Sequence, residues 1–181
     1  MAEVLAVRID WNRTALDQRI ASRFHTLHVD PEVDYPFGRK GLSLARAWRH
    51  LAQDDFSGML ILDGDVVIDP EDYAQMLTAI HYDPFAVVVA PVRIWPVSTK
   101  RKDWVWGHWT NEPGQEVIED TAWWFTFCFT FLPRKLVEAA IRDGLSSWRY
   151  PICDRRVCET AQKIGMRIRI APNCFPKHLN Y

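Results

Sequence analysis

The residues best suited to chemistry lie in the stretch "GMLILDGDVVIDPEDYAQML", residues 58–77, where an apolar run ends at Asp63 and Asp65 with Gly64 between them. Side chains two positions apart in an extended segment project to the same side. Both carboxylates can therefore converge on one point, and the glycine leaves room for a ligand to come close. Two bare carboxylates that near each other repel, and one takes up a proton unless a cation or water separates them. An all-oxygen pair suits Mg²⁺ or Mn²⁺, ions that commonly link protein carboxylates to substrate phosphates. The same spacing also arises where one acid caps a turn and the other is solvated.

Aromatic residues form the second notable group. Nine tryptophans are present, several of them in "RIWPVSTKRKDWVWGHWTNEP" and "TAWWFTF". An indole offers a broad apolar face with a polar edge, which fits the C–H face of a sugar or a nucleobase and fits core packing equally. Trp106, Trp109, Trp123 and Trp124, with Asp120 close by in sequence, are the candidate substrate contacts.

Composition narrows the setting. The 22 Lys and Arg nearly balance the 23 Asp and Glu, so overall charge gives no reason to expect a nucleic-acid partner. The four cysteines, Cys128, Cys153, Cys158 and Cys174, lack paired CxxC spacing, which fits reduced thiols in a cytoplasmic protein and argues against zinc. The N-terminal segment has no basic leader, and no stretch approaches the roughly 20 apolar residues of a membrane span.

The elements that must position these groups follow from periodicity. Residues 4–9 read as a strand. Thr14 and Asp17 form a capping-box pattern for a helix running to about residue 23, and residues 25–29 form a second strand. Leu44, Ala47, Trp48 and Leu51 fall on one face of a helix. Residues 58–62 form a strand that is apolar on both faces, as in the centre of a parallel sheet. Asp69-Pro70-Glu71-Asp72 then opens a helix to about residue 80: a cap, a proline in the first turn and acids at the positive end of the dipole. Residues 85–90 form the next strand. Residues 91–120 lose periodicity and read as a lid or acceptor loop. A strand over 123–132, a helix from Pro133 to Gly144, a helix capped by Asp154 and ending at Gly165, and a strand over 167–171 complete the chain. The alternation predicts one α/β domain over residues 1–181, with a mainly parallel central sheet and helices on both faces.

In this order the segments resemble nucleotide-sugar glycosyltransferases of the GT-A (Rossmann-like) fold. "LILDGDVVIDPEDYAQML" resembles their DxD segment, "GRKGLSLARAWRHLA" the helix before it, "TAWWFTFCFTFLPRKLVEAAI" the acceptor-side strand and helix, and "ICDRRVCETAQKIGMRIRIAPNCFPKHL" the closing acid, helix, strand and histidine. The likeness covers most of the chain from about Phe37 onward.

The resemblance implies transfer of a sugar from a nucleoside-diphosphate donor, UDP-sugar favoured, to a hydroxyl on a glycan, protein or small molecule. It implies that Asp65 holds Mn²⁺ or Mg²⁺, that Asp63 supports the metal or meets the ribose beside Gly64, and that His178 completes the metal shell. Arg46, or Arg39 and Lys40 in the loop before that helix, would neutralise donor phosphates, as guanidinium forks suit phosphate oxygens. Asp10, Trp11 or Arg13 after the first strand would meet the nucleobase. Asp154 would be the base that deprotonates the acceptor. Cys153 precedes it where inverting members often carry Glu, so the stereochemical outcome stays open. Two other readings compete: a non-catalytic nucleotide- or carbohydrate-binding module, and a haloacid-dehalogenase-type phosphatase. The phosphatase motif ordinarily follows the first strand of its domain, whereas two βα units come first here.

Overall fold

A computed structural model describes residues 3–10, 16–28, 40–91, 93–94, 105–106, 108–109, 124–148, 152–171 and 173–178. For residues 93, 94, 105, 106, 108, 109, 124, 152 and 178 the backbone alone is described. The elements in chain order are β1 (Glu3–Asp10), α1 (Gln18–Ala21), β2 (His25–His28), α2 (Lys40–Leu51), β3 (Phe56–Asp63), β4 (Val66–Val67), α3 (Pro70–Tyr82) and β5 (Val87–Val89). They continue with β6 (Arg93–Ile94), β7 (Val105–Trp106), β8 (His108–Trp109), β9 (Trp124–Phe125), β10 (Phe129–Pro133), α4 (Arg134–Arg142), α5 (Ile152–Lys163), β11 (Ile168–Ile170) and β12 (Lys177–His178).

Among the described residues the main sheet has the order β11-β5-β10-β3-β1-β2. β1 runs parallel to β2 and β3, and β11 parallel to β5. β10 is antiparallel to both β3 and β5, so the sheet is mixed, with five strands pointing one way and β10 the other. This corrects the mainly parallel expectation in part, and the cause is the chain path. The segment after β5 leaves the sheet at the rim where β5 ends and regains it at that rim, so the next strand has to run back down.

Strand alternation sends successive side chains to opposite faces. Leu5, Val7, Ile9, Met59 and Ile61 join a core with Leu44 and Trp48 of α2, Leu136 of α4 and Val157 of α5. Ala6, Leu60, Leu62, Val88 and Phe131 join the opposite core with Ile20 of α1 and Met76 and Ile80 of α3. Helices therefore cover both faces, as the apolar character of β3 requires.

Several boundaries move from the sequence expectation for identifiable reasons. Asp17 is the N-cap of α1, accepting from the Arg19 amide, rather than the third helical residue of a Thr14 box; Thr14 lies outside the described residues. Asp69 caps α3 and Asp72 returns the bond to the Asp69 amide, the full reciprocal box. The expected strand over 123–132 divides into β9 and β10, because residues 126–128 turn aside and the Phe127 amide donates to Asp154 instead of to a neighbouring strand. Of the expected loop over 91–120, the short strands β6, β7 and β8 and residue 91 are described, and the rest lies outside the described residues. No helix among the described residues is long and apolar enough to cross a membrane.

One close approach fixes where α2 begins. A Cβ on Gly41 would strike the main-chain oxygens of Leu145 and Trp148, in and after the short 3₁₀ turn Leu145–Ser147. Neither oxygen is the flexible end of a side chain, so the helix would have to move. Gly41→Ala should therefore lower stability by about 1–3 kcal/mol, the usual range for overpacking, read as a reduced urea midpoint at unchanged slope.

Candidate functional site

β3 delivers Asp63 to the carboxyl end of a central strand, the rim at which open α/β sheets collect ligands. Alternation puts Asp63 on the same face as Met59 and Ile61, the face covered by α2, α4 and α5. Two helix starts meet it there. Lys40 is the first residue of α2, and Asp154 lies in the first turn of α5.

The Lys40 ammonium sits 2.8 Å from Asp63 Oδ2 and 3.5 Å from Asp154 Oδ1, and 4.8 Å from the centre of the Phe127 ring. The residue is 1% exposed. Burial by itself would lower the affinity of this amine for its proton, but the charges of Asp154 and Asp63 outweigh it and hold the pKa above the ordinary lysine value. The cation that keeps these carboxylates from repelling is thus supplied by the chain, and it joins Asp63 to Asp154.

Asp154 is also fixed from its other side, since its Oδ2 accepts a hydrogen bond of 3.0 Å from the Phe127 amide. It stands inside the first turn of α5 instead of capping it, because the helix opens two residues earlier. That turn is the positive end of the helix dipole, which favours a negative charge there.

Asp63 and Asp65 are 7% and 8% exposed. Burial pushes the Asp63 carboxyl up, against the pull of Lys40, and the neighbouring charges of Asp154 and Asp65 push it further, to about 7. One of its oxygens, Oδ1, is buried without a hydrogen-bond partner while Oδ2 holds Lys40. On the neighbouring strand, Arg8 is 6% exposed, reaches 3.5 Å from the Gly64 carbonyl and lies 3.7 Å from Asp10 Oδ1. The guanidinium thereby links the end of β1 to the turn that carries Asp65.

The C-terminal segment folds back onto this rim. β12 pairs antiparallel with β4, setting residue 178 opposite Val66, next in sequence to Asp65. The backbone of His178 is therefore beside the acid pair. β8 and β9 pair with Trp109 opposite Trp124 and His108 opposite Phe125, and the Phe125 amide donates to Cys158 of α5. The backbone thus brings two of the nominated tryptophans together alongside the helix that carries Asp154. Trp106 lies opposite Arg93 in a separate four-stranded sheet of order β4-β12-β6-β7.

Other nominated residues are placed differently. Lys40 belongs to the helix and is buried in ion pairs, so it is not the loop cation expected for donor phosphates. Arg46 is exposed on α2, flanked by the buried Ala45 and Ala47, about 9 Å of helix rise from Lys40. Trp11, Arg13, Arg39, Asp120 and Trp123 lie outside the described residues. All four cysteines are free and buried, and burial raises each thiol above its usual range.

One contributor, Arg8, escaped the sequence reading, and for a second, Lys40, that reading gave a different role. Arg8 was visible as a lone charge in an apolar strand. Lys40 was visible as the residue four before Leu44 and eight before Trp48, on the stripe that α2 buries.

No protein-family model matches the chain, and no curated protein does. Its fold is similar to that of A197 from STIV, a crystal structure, with 12% identity and a TM-score of 0.53, covering 98% of this chain and 82% of that one. At that identity the likeness speaks to the fold alone.

Removing the ammonium would leave two partly buried carboxylates facing each other. Lys40→Met should cost about 3–5 kcal/mol in urea unfolding, the cost of breaking a buried ion pair; a loss under about 1 kcal/mol would show that water already reaches the site. A second expectation concerns pH. The Asp63 carboxyl titrates higher in the folded chain than unfolded, so the folded state holds the extra proton between about pH 4 and 7 and stability falls as pH rises through that window. Urea midpoints at pH 4.5 and 7.5 should differ in that direction, and Asp63→Asn should flatten the difference.

Proposed function

We propose that the chain is a metal-dependent glycosyltransferase of the GT-A kind, acting on a nucleoside-diphosphate sugar, with a UDP-sugar favoured, and a hydroxyl acceptor. The observation that carries the reading is the meeting of acids from two distant segments at one sheet rim: Asp63 at the end of β3 with Asp65 just after it, and Asp154 from α5. The tail that bears His178 closes over the same rim, which supports it.

Among the described residues no three acid, histidine or cysteine side chains are gathered to hold a metal ion, but the residue types at the rim suit a divalent cation. Asp63 keeps one buried oxygen without a hydrogen bond, Asp65 follows across one glycine, and His178 stands in register beside them. These three would hold Mn²⁺ or Mg²⁺. When bound, such an ion offsets the charge that develops on a departing diphosphate.

The chain's own groups do the remainder. Asp154 takes the proton of the acceptor hydroxyl on a carboxylate oxygen, while the Phe127 amide and the Lys40 ammonium keep that carboxylate oriented. Lys40 also holds Asp63 in place through Oδ2, leaving Oδ1 without a hydrogen bond. Arg8, through the Gly64 carbonyl, keeps the turn between the two acids in place.

One observation favours a binding module that turns nothing over: the Lys40 ammonium already neutralises part of the acid cluster. Turnover separates the two. Titration calorimetry with UDP should show heat that depends on Mn²⁺ in the wild type and an affinity at least tenfold lower in Asp65→Ala; equal affinity in the variant would sink the metal assignment. Asp154→Asn should keep UDP binding while donor-sugar transfer or hydrolysis, followed by release of UDP, drops by about 10²–10⁴-fold, the range for loss of a general base.

A further inference from the structure

The tail that carries His178 to the rim does so through a strand of only two residues. β12 pairs Lys177 with Val67 and His178 with Val66, and Lys177 also stands opposite Arg93 of β6. Main-chain groups are alike at every residue, so a ladder this short does not choose its own register, and a slip of one residue turns each side chain to the opposite face. Burial does not choose it at Lys177, whose side chain is exposed. The register has to be set before the strand begins.

A carboxylate in the first turn of α3 meets the tail just ahead of it. Asp72 Oδ2 accepts from the Asp69 amide at 3.3 Å, which closes the capping box, and Asp72 Oδ1 accepts from the Phe175 amide at 2.9 Å, 103 residues on in the chain. An amide side chain has a single acceptor oxygen, so only an acid serves both donors at once. The Asp72 carbonyl takes a second bond from the tail, from the Cys174 thiol at 3.4 Å. Burial raises that thiol above its usual range, so it keeps the proton it donates, and Cys174 packs in one core with Met76 and Ile80 of α3. β4 lies directly before the Asp69 cap, so the strand that pairs with the tail and the turn that grips it belong to one short segment.

We propose that Asp72 is a positioning residue for the rim: by holding the Phe175 amide it fixes the register of β12 and so sets residue 178 opposite Val66, beside Asp65. Asp72 touches neither the acid pair nor a ligand, and it acts only through the tail. The bond is of the stronger kind, a main-chain amide donating to an ionised carboxylate. Its consequence for a bound cation rests on the metal-binding reading of the rim, whereas its consequence for the tail does not. Without the Asp72 carboxylate the tail keeps its covalent path to the rim but loses the contact that selects which residue arrives beside Val66.

The test uses the full chain. Without ligand, alkylation of each cysteine by iodoacetamide is followed by peptide mass spectrometry. Asp72→Ala should react at Cys174 at least tenfold faster than the wild type, while Cys158, in the core on the other face of the sheet, stays within twofold and so reports no general opening. Asp69→Ala strips the α3 cap but leaves the Asp69 amide and both tail contacts, and should stay within twofold at Cys174. Calorimetric titration with Mn²⁺ in the presence of UDP then compares the wild type, Asp72→Ala, His178→Ala and the double variant. Asp72→Ala should weaken Mn²⁺ binding at least fivefold, and the double variant should bind no more weakly than His178→Ala alone, because a residue that acts through another adds nothing once that other is gone. The proposal is overturned by unchanged Cys174 labelling in Asp72→Ala, by equal acceleration at Cys158 or in Asp69→Ala, by full Mn²⁺ affinity in Asp72→Ala where His178→Ala has lost it, or by losses that add in the double variant. A wild type that takes up no Mn²⁺ with UDP would defeat the metal reading instead, and the labelling would still decide whether Asp72 seats the tail.

Discussion

An ammonium ion 2.8 Å from one carboxylate and 3.5 Å from another, with its residue 1% exposed, is the constraint on which the rest of this structure turns. Taking a lysine out of water costs several kcal/mol, and that cost is offset only when opposite charges stand close and in good geometry. Here they come from β3 and α5, more than 90 residues apart in sequence, and the quadrupole of Phe127 adds to them. The bridge therefore requires that the start of α2, the end of β3 and the start of α5 arrive at one point. Gly41 allows it by letting α2 press against the 3₁₀ turn before α5.

The electrostatics of the rim follow from that bridge. Burial drives the Asp63 carboxyl upward, and because a single ammonium is shared between two acids while Asp65 adds a further negative charge nearby, the contact with Lys40 does not bring it back down. A rim arranged in this way favours positive charge from a ligand. Arg8 answers part of the demand from the neighbouring strand by its contacts to Gly64 and Asp10. What holds the acids in place also leaves Asp63 Oδ1 without a hydrogen bond.

The mixed direction of the sheet has a consequence for the site. Because β10 runs back from the rim, residues 124–128 approach it from above and deliver the Phe127 amide to Asp154 and the Phe125 amide to Cys158. A parallel β10 would begin at the far side of the sheet and bring neither. The run "TAWWFTFCFTFLP" is apolar enough for one long strand, and local propensity favours that reading. Satisfaction of the half-buried Asp154 carboxylate by a main-chain amide prevails at residues 126–128, and the strand breaks there.

Local rules written in the sequence settled much of the framework. The Asp69–Asp72 box, the apolar face of α2, the doubly buried character of β3 and the paired acids at its end depend on residues close in sequence, and short-range geometry is enough to read them. Tertiary structure decided what those rules leave open: that β10 turns back, that Lys40 goes inward, that Arg8 reaches the Gly64 carbonyl, and that the tail lies beside Val66. Each of these depends on which distant group meets a charge or a main-chain polar atom once water is excluded, and no periodicity in the chain encodes that meeting.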